Sequence, residues 1–419
     1  MSSFHLVEHK IPCQHVREYP RALAGSQDDV LYLSVKQYIP KDNPNPQPGD
    51  VTILGAHANA FPKELYEPLW DDIHARSKKN GFRIRSIWIA DVAHQGHSSV
   101  LNEHLLGNDP NWNDHPRDLL HMINMKREQM PRPLIGIGHS MGGNHLVNLA
   151  YMHPRLLTTL ILIDPVIQVY SSVAPDVGPN PAQLSTFRRD VWPSREEAAK
   201  SFKSSKFYQT WDPRVLDRWV QHGLRDMPTL IHQEGPPKVT LTTPLHQEVF
   251  TFSRPNFEGY GCQGKAVNRK THPDLNPVLP TIYPFYRAEG PQTFFRLQEL
   301  RPSVLYIFGG KSDVGTPESC KAKMDLTGVG VGGSGGAPAG RVRSVVFDDI
   351  GHLIAMEAVD RTADHAATWL GSEMKIWRED EEEHNRTWSS KSLIEKQTVD
   401  EQWKKMMGGP LRKPKGLKL

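Results

Sequence analysis

The segment Pro133–Gly143 (PLIGIGHSMGG) constrains this chain more than any other. A short apolar run with β character leads into Gly138-His139-Ser140-Met141-Gly142, a G-x-S-x-G turn, and a helix-like stretch follows from Asn144 to Tyr151. A serine held between strand and helix on so tight a turn has strained backbone, and glycines at 138 and 142 relieve crowding on either side of it. The turn pushes the hydroxyl outward, and the N-terminus of the following helix faces developing negative charge. Ser140 is therefore the expected nucleophile.

Strands and helices alternate around this turn. Phe4 to Ile11, Val30 to Ile39, Val51 to Leu54, Phe82 to Ala90 and Leu156 to Ile163 read as strands, and Lys63 to Lys79 and Pro116 to Gln129 as helices. Short connections between them imply an α/β fold: a mostly parallel sheet with helices on both faces and its active rim at the carboxyl ends of the strands. The rhythm stops near Gln168. It resumes with Val304 to Phe308, a helix from Pro317, a strand Val342 to Phe347 and a last helix from Met356 to Leu370. The expected organisation is a core over 1–167, an inserted lid over 168–301, the rest of the core over 302–371, and a polar C-terminal extension over 372–419.

Composition narrows the function. Fifty Lys and Arg against 47 Asp and Glu leave a net charge of +3, which provides no field for nucleic acid. The three cysteines, Cys13, Cys262 and Cys320, show no C-x-x-C spacing, which argues against a disulfide framework or zinc site and for a reducing compartment. The first ten residues lack the pattern of a secretory signal, and the longest apolar stretch, Leu156 to Val169, is too short and interrupted for a transmembrane segment. His94 and His97 have H-x-x-H spacing without a third ligand. Gly328, Gly330 and Gly333 match G-x-G-x-x-G, but after a helix and before a strand, the reverse of the dinucleotide context, so they read as a flexible surface loop. No metal or organic cofactor is expected.

A serine hydroxyl needs a base, and the base needs an orienting carboxylate. Asp349-Ile350-Gly351-His352 follows the strand Val342 to Phe347, and it makes His352 the expected base. Asp313, reached from the strand Val304 to Phe308 through Gly309-Gly310, is the expected acid. Asp164, closing the strand Leu160 to Ile163, is the alternative acid. The oxyanion of a tetrahedral intermediate needs two backbone donors. Met141, the residue after the nucleophile, supplies one. Asn59 supplies the other from the loop Gly55 to Pro62, with Ala58 as the neighbouring possibility. His139, beside the serine, is expected to pack under the turn.

In this order, His57-Ala58-Asn59, Asp91 with Gly96-His97-Ser98, Gly138 to Gly143, Gly309 to Pro317 and Gly351-His352 resemble the α/β-hydrolase superfamily over about residues 30 to 370. The stretch His57 to Glu64 with Tyr66-Glu67-Pro68 is similar to a fungal branch that includes peroxisomal lipase-like hydrolases and the hydrolases of AK- and AF-type toxin biosynthesis. The resemblance implies an α/β-hydrolase fold with a lid, and an acyl-enzyme mechanism on an ester, thioester or lactone. Phe187, Trp192, Phe207, Tyr208, Trp211, Phe250 and Phe252 suit a medium or large apolar acyl substrate, or they form the lid's own core. C–C bond hydrolysis on the same triad and a ligand-binding or scaffold protein are the rival readings. The tripeptide Leu417-Lys418-Leu419 matches a peroxisomal import signal in its last two residues, so the import receptor is an expected partner and peroxisome or cytoplasm the expected location.

Overall fold

The computed structural model describes residues 3–171, 181–233, 236, 238–262, 264–276, 278–279 and 284–409. Eight strands build one sheet: β1 (Phe4–Pro12), β2 (Tyr32–Pro40), β3 (Val51–Ala56), β4 (Ile84–Ala90), β5 (Leu134–His139), β6 (Thr159–Ile163), β7 (Ser303–Gly309) and β8 (Val342–Phe347). Their order is β1-β2-β4-β3-β5-β6-β7-β8. β1 and β2 are antiparallel, as are β2 and β4, and from β4 onward every pairing is parallel. The sequence of each strand fits its place. β3, β5, β6 and β7 are buried along their whole length and are mostly apolar, whereas β1 leaves its middle exposed as an edge strand does.

Four helices connect the first strands: α1 (Glu67–Ser77), α2 (Gly96–Leu101), α3 (Asp114–Met125) and α4 (Met141–Met152). α3 buries Leu119, Met122 and Ile123, spaced to fall on one face. The helix expected from Lys63 starts instead as a 3₁₀ turn, Lys63–Tyr66, because Pro68 sits where only the first turn of an α-helix accepts it. Likewise the last helix expected over 356–370 is two, Ile354–Glu357 and Val359–His384. Leu33, Val35, Leu54, Trp88, Leu146 and Leu160 join a continuous core around the sheet.

Between β6 and β7 the chain leaves the sheet. It forms helices at Arg195–Ser204, Pro213–His222, Leu245–Phe252 and Glu289–Arg296, and two small sheets of their own. The Ser194 hydroxyl caps the first of these helices, accepting from the Glu197 N–H. Arg254 fastens this insertion to the loop before α3, with Nε and Nη2 on the two Asp109 oxygens at 2.8 and 2.9 Å and its guanidinium 3.9 Å from the Tyr19 ring centre. The glycine run after residue 327 is stitched down, with Gly328, Gly330 and Ser334 donating to the carbonyls of Leu297, Gln298 and Leu300. That ladder replaces the flexible loop expected there.

Residues 374–419 form a second unit. Its described part includes short helices at Leu393–Gln397, opened by a Ser392–Glu395 capping box, and Glu401–Met406. Leu417-Lys418-Leu419 lies outside the described residues. Among the described residues no helix is long and apolar enough to cross a membrane.

Candidate active site

The turn after β5 places Ser140 at φ 57°, ψ −119°, a conformation that costs energy for any residue with a side chain. The surroundings enforce it. Ser140 N–H donates to the Ile163 carbonyl at 2.9 Å. A Cβ on Gly142 would lie 2.1 Å from the Ala56 carbonyl oxygen, and one on Gly138 would lie 2.6 Å from the Gly142 oxygen. These glycines let the start of α4 press against the loop after β3, as two converging backbone donors require.

His352 reaches the serine from the loop after β8. Its Nε2 is 2.8 Å from Ser140 Oγ, and its Nδ1 is 2.6 Å from Asp164 Oδ2. An ionised carboxylate can only accept, so Nδ1 carries the proton and Nε2 offers its lone pair to the serine hydroxyl. Asp164 Oδ2 accepts a second hydrogen bond from the Ser312 hydroxyl. Burial alone would raise the Asp164 carboxyl. The hydrogen bond from His352 and the charge that ring carries once protonated, with the Ser312 hydroxyl, outweigh it and hold the group below its usual range.

The carboxylate beside His352 is thus that of Asp164, which corrects the expectation for Asp313. The reason lies in register. β6 is the neighbour of β5, with Ile163 opposite His139, so residue 164 emerges directly beside residue 140. In the loop after β7, consecutive side chains point opposite ways: Ser312 turns inward to Asp164, and Asp313 is left exposed. Ser312 itself escaped the sequence reading, because nothing in the order of residues tells which of two neighbours on a loop faces the site.

The loop after β3 is pinned from several directions. His57 Nε2 accepts from the Val92 N–H at 2.9 Å and Nδ1 lies 2.8 Å from the Ala58 carbonyl. Ala58 N–H donates to the Tyr66 hydroxyl, Ala60 N–H to Gln95 Oε1 and Phe61 N–H to the Ala58 carbonyl. Of these four consecutive N–H groups, that of Asn59 alone takes no partner among the described residues. The Asn59 side chain is tied down, accepting from Gln95 Nε2 at 2.7 Å and donating to the Glu248 carbonyl at 3.1 Å. Further along, buried Asp91 receives Lys63 N–H at 2.9 Å, Lys63 Nζ at 2.6 Å and His97 N–H at 2.8 Å. His94 is buried and commits Nε2 to Thr251 Oγ1, whereas His97 is exposed, so the H-x-x-H pair does not converge.

Of the aromatics singled out, Trp192, Phe207, Tyr208 and Trp211 join a cluster of edge-to-face and tilted rings with Phe202 and Trp219. Phe61, from the loop after β3, packs into that cluster at 5.5 Å from the Trp211 ring. Phe187 is 84% exposed.

Comparison with known proteins agrees with this fold. The family described as serine aminopeptidase, S33 matches residues 79–229. The type I acyl-CoA thioesterase mpaH of Penicillium brevicompactum is 42% identical over 426 aligned positions, covering 96% of this chain and 95% of that one. The chain belongs to the α/β-hydrolases. The abhydrolase domain-containing protein AFT2-1 of Alternaria alternata is 29% identical across 65% of this chain and 97% of its own length. In fold, this α/β-hydrolase is similar to the peroxisomal alpha-beta-hydrolase Lpx1 of Saccharomyces cerevisiae, with a TM-score of 0.64 at 17% identity over 97% of this chain and 96% of that one. The resemblance read from the motifs holds, and the protein is a hydrolase.

Proposed function

We propose that the protein hydrolyses acyl thioesters, of which acyl-coenzyme A is the leading class, through an acyl-serine intermediate. The observation that carries the reading is the hydrogen-bonded line Ser140–His352–Asp164, in a chain 42% identical over 96% of its length to a type I acyl-CoA thioesterase.

Ser140 Oγ attacks the thioester carbon while its proton passes to His352 Nε2. Asp164 keeps Nδ1 protonated and stabilises the imidazolium that forms. The carbonyl oxygen becomes an oxyanion between the N–H groups of Met141 and Asn59. Collapse breaks the C–S bond, and His352 returns the proton to the departing thiolate. A thiol is a better leaving group than an amine, so this step asks less of the general acid. Water, deprotonated by His352, then attacks the acyl-serine and releases the carboxylic acid. In this reading the insertion 168–301 is the lid over the site, and its contacts to Asn59 and Phe61 couple lid position to the oxyanion loop.

The test is a panel of coenzyme A thioesters of graded acyl length, with free thiol measured over time. The reading expects turnover that disappears in Ser140→Ala. Turnover of oxygen esters with no release of thiol from any thioester would overturn the thioester assignment.

A further inference from the structure

One chain of hydrogen bonds runs behind the catalytic line and joins its two halves. Ala58 N–H donates to Tyr66 Oη at 2.8 Å, Tyr66 Oη is 3.0 Å from His139 Nδ1, and His139 Nε2 is 2.9 Å from the carbonyl oxygen of His352. Both ends have fixed polarity. A backbone N–H can only donate and a carbonyl oxygen can only accept. His139 Nε2 must therefore carry a proton. With the ring neutral, Nδ1 is an acceptor, the Tyr66 hydroxyl donates to it, and the Tyr66 oxygen is left to receive Ala58. Every donor in the chain then has one acceptor, and no other arrangement of protons satisfies both ends with a neutral ring.

We infer that Tyr66 and His139 are positioning residues for the hydrolysis. Tyr66 fixes which N–H of the oxyanion loop faces the substrate, and His139 fixes the backbone that carries the base. This rests on the acyl-serine reading above. Three observations carry it.

First, Tyr66 occupies the Ala58 N–H and thereby removes it as an oxyanion donor. Ala60 and Phe61 are committed elsewhere, so the hydroxyl of Tyr66 completes the selection of Asn59. Second, neither ring can drift. Tyr66 is 2% exposed and lies stacked near Trp70, and His139 is fully buried at the end of β5. Third, the chain depends on a neutral His139. Burial first, and then the neighbouring His352, drive its pKa down to about 3. The two rings are 5.5 Å apart, so a charge on His139 would oppose the imidazolium that His352 becomes in the transition state. A residue next to the nucleophile in sequence thus acts through the base loop, with its side chain behind the turn.

The experiment combines Tyr66→Phe, His139→Gln and His139→Leu in the full-length protein. The number of working sites is counted by fluorophosphonate titration, so that kcat is read per titrated site and any misfolded fraction drops out. Tyr66→Phe is expected to lower kcat per site by about 10²-fold, the order seen when an oxyanion donor is lost or displaced, with KM within about threefold on the same grounds. His139→Gln, which keeps a donor for the His352 carbonyl, is expected to recover at least tenfold of what His139→Leu loses. The ¹⁵N shifts of His139 are expected to report protonated Nε2 and bare Nδ1 from pH 5 to 8, with the Nδ1 signal moving in Tyr66→Phe. Wild-type kcat per site in Tyr66→Phe, or a protonated Nδ1 in the native enzyme, overturns the inference. Ser140→Ala run beside these separates the two claims: its activity at wild-type level would sink the acyl-serine reading, whereas a dead Ser140→Ala with an unimpaired Tyr66→Phe would sink only the positioning roles.

Discussion

Replacing Asp164 by asparagine should nearly abolish turnover while leaving the fold intact, and the structure says why. Asp164 Oδ2 accepts from both His352 Nδ1 and the Ser312 hydroxyl, whereas Oδ1 is buried without a hydrogen-bond partner among the described residues. An asparagine there has two orientations. With its oxygen in the Oδ2 place it keeps both accepted bonds but puts an NH₂ group where the buried Oδ1 has no hydrogen-bond partner among the described residues, at about 1–3 kcal/mol for a donor left stranded. With the NH₂ in the Oδ2 place, one proton goes to the Ser312 oxygen and the other to His352 Nδ1. The second orientation forces the imidazole into the tautomer that carries its proton on Nε2, facing Ser140. That ring cannot take the serine proton. The corresponding change in a serine protease costs ~10⁴ in kcat, which is about 5.4 kcal/mol at 1.36 kcal/mol per decade. Asp313→Asn, at an exposed side chain, should stay within about twofold, as surface changes away from a site do. The assay is the initial rate of thiol release from a saturating acyl thioester at pH 7.5 to 8, with unfolding midpoints as the control for folding. A collapse in Asp313→Asn, with Asp164→Asn keeping more than a tenth of wild-type rate, would refute the reasoning.

Three more expectations follow from the same contacts. Ser312→Ala removes a donor from the ionised Asp164 carboxylate, so the carboxyl pKa should rise and kcat should fall by roughly ten- to 150-fold, less than for Asp164→Asn, because one charge-assisted hydrogen bond is worth about 1.5–3 kcal/mol; pH–rate profiles of the two variants check it. Gly142→Ala should fail to fold or lose activity by more than ~10²-fold, since its Cβ would sit 2.1 Å from the Ala56 oxygen and must push the oxyanion loop away. Acid should destabilise the protein early. His94, His115, His139 and His145 are buried, and desolvation drives each below its ordinary value of 6.5, His94 and His139 to about 3. The unfolded chain takes up these protons below pH 6.5 and the folded one does not, so the stability is present above that pH and lost as pH falls. Each ring contributes ~1.4 kcal/mol per pH unit, or about 6 kcal/mol for the four by pH 5.5. Urea midpoints at pH 7.5, 6.5 and 5.5 measure this, and a flat series would contradict it.

Much of the site was legible in the amino-acid sequence because covalent adjacency dictates it. Gly138-His139-Ser140-Met141-Gly142 encodes its own turn: crowding at Ala56 and Gly142 leaves those positions to glycine, and strand β5 and helix α4 flank it. His352 was legible for a similar reason, as the histidine after the last strand. The acid was not, because the answer depends on which strand lies next to β5 and on register to the single residue. Asp313 and Asp164 both lie between Ser140 and His352 in the chain and each follows a strand, and only the pairing of Ile163 with His139 separates them. Tyr66 was visible as part of a distinctive stretch, but a tyrosine at the end of a 3₁₀ turn carries no sign that its hydroxyl meets a backbone N–H eight residues earlier. The aromatics of the insertion read equally as a substrate wall or as the lid's own core, and Trp192 and Trp211 are packed among other rings, since edge-to-face clusters satisfy the same composition.

The central claim is that Ser140 is a nucleophile activated by His352. Intact-mass and peptide mass spectrometry after incubation with a fluorophosphonate probe test it most directly. The account predicts one adduct per chain, on Ser140, with fluoride displaced, and no adduct in Ser140→Ala or on a comparable timescale in His352→Ala. Folded wild-type protein that stays unmodified at pH 7 to 8, or an adduct on any other residue with Ser140 untouched, would contradict it.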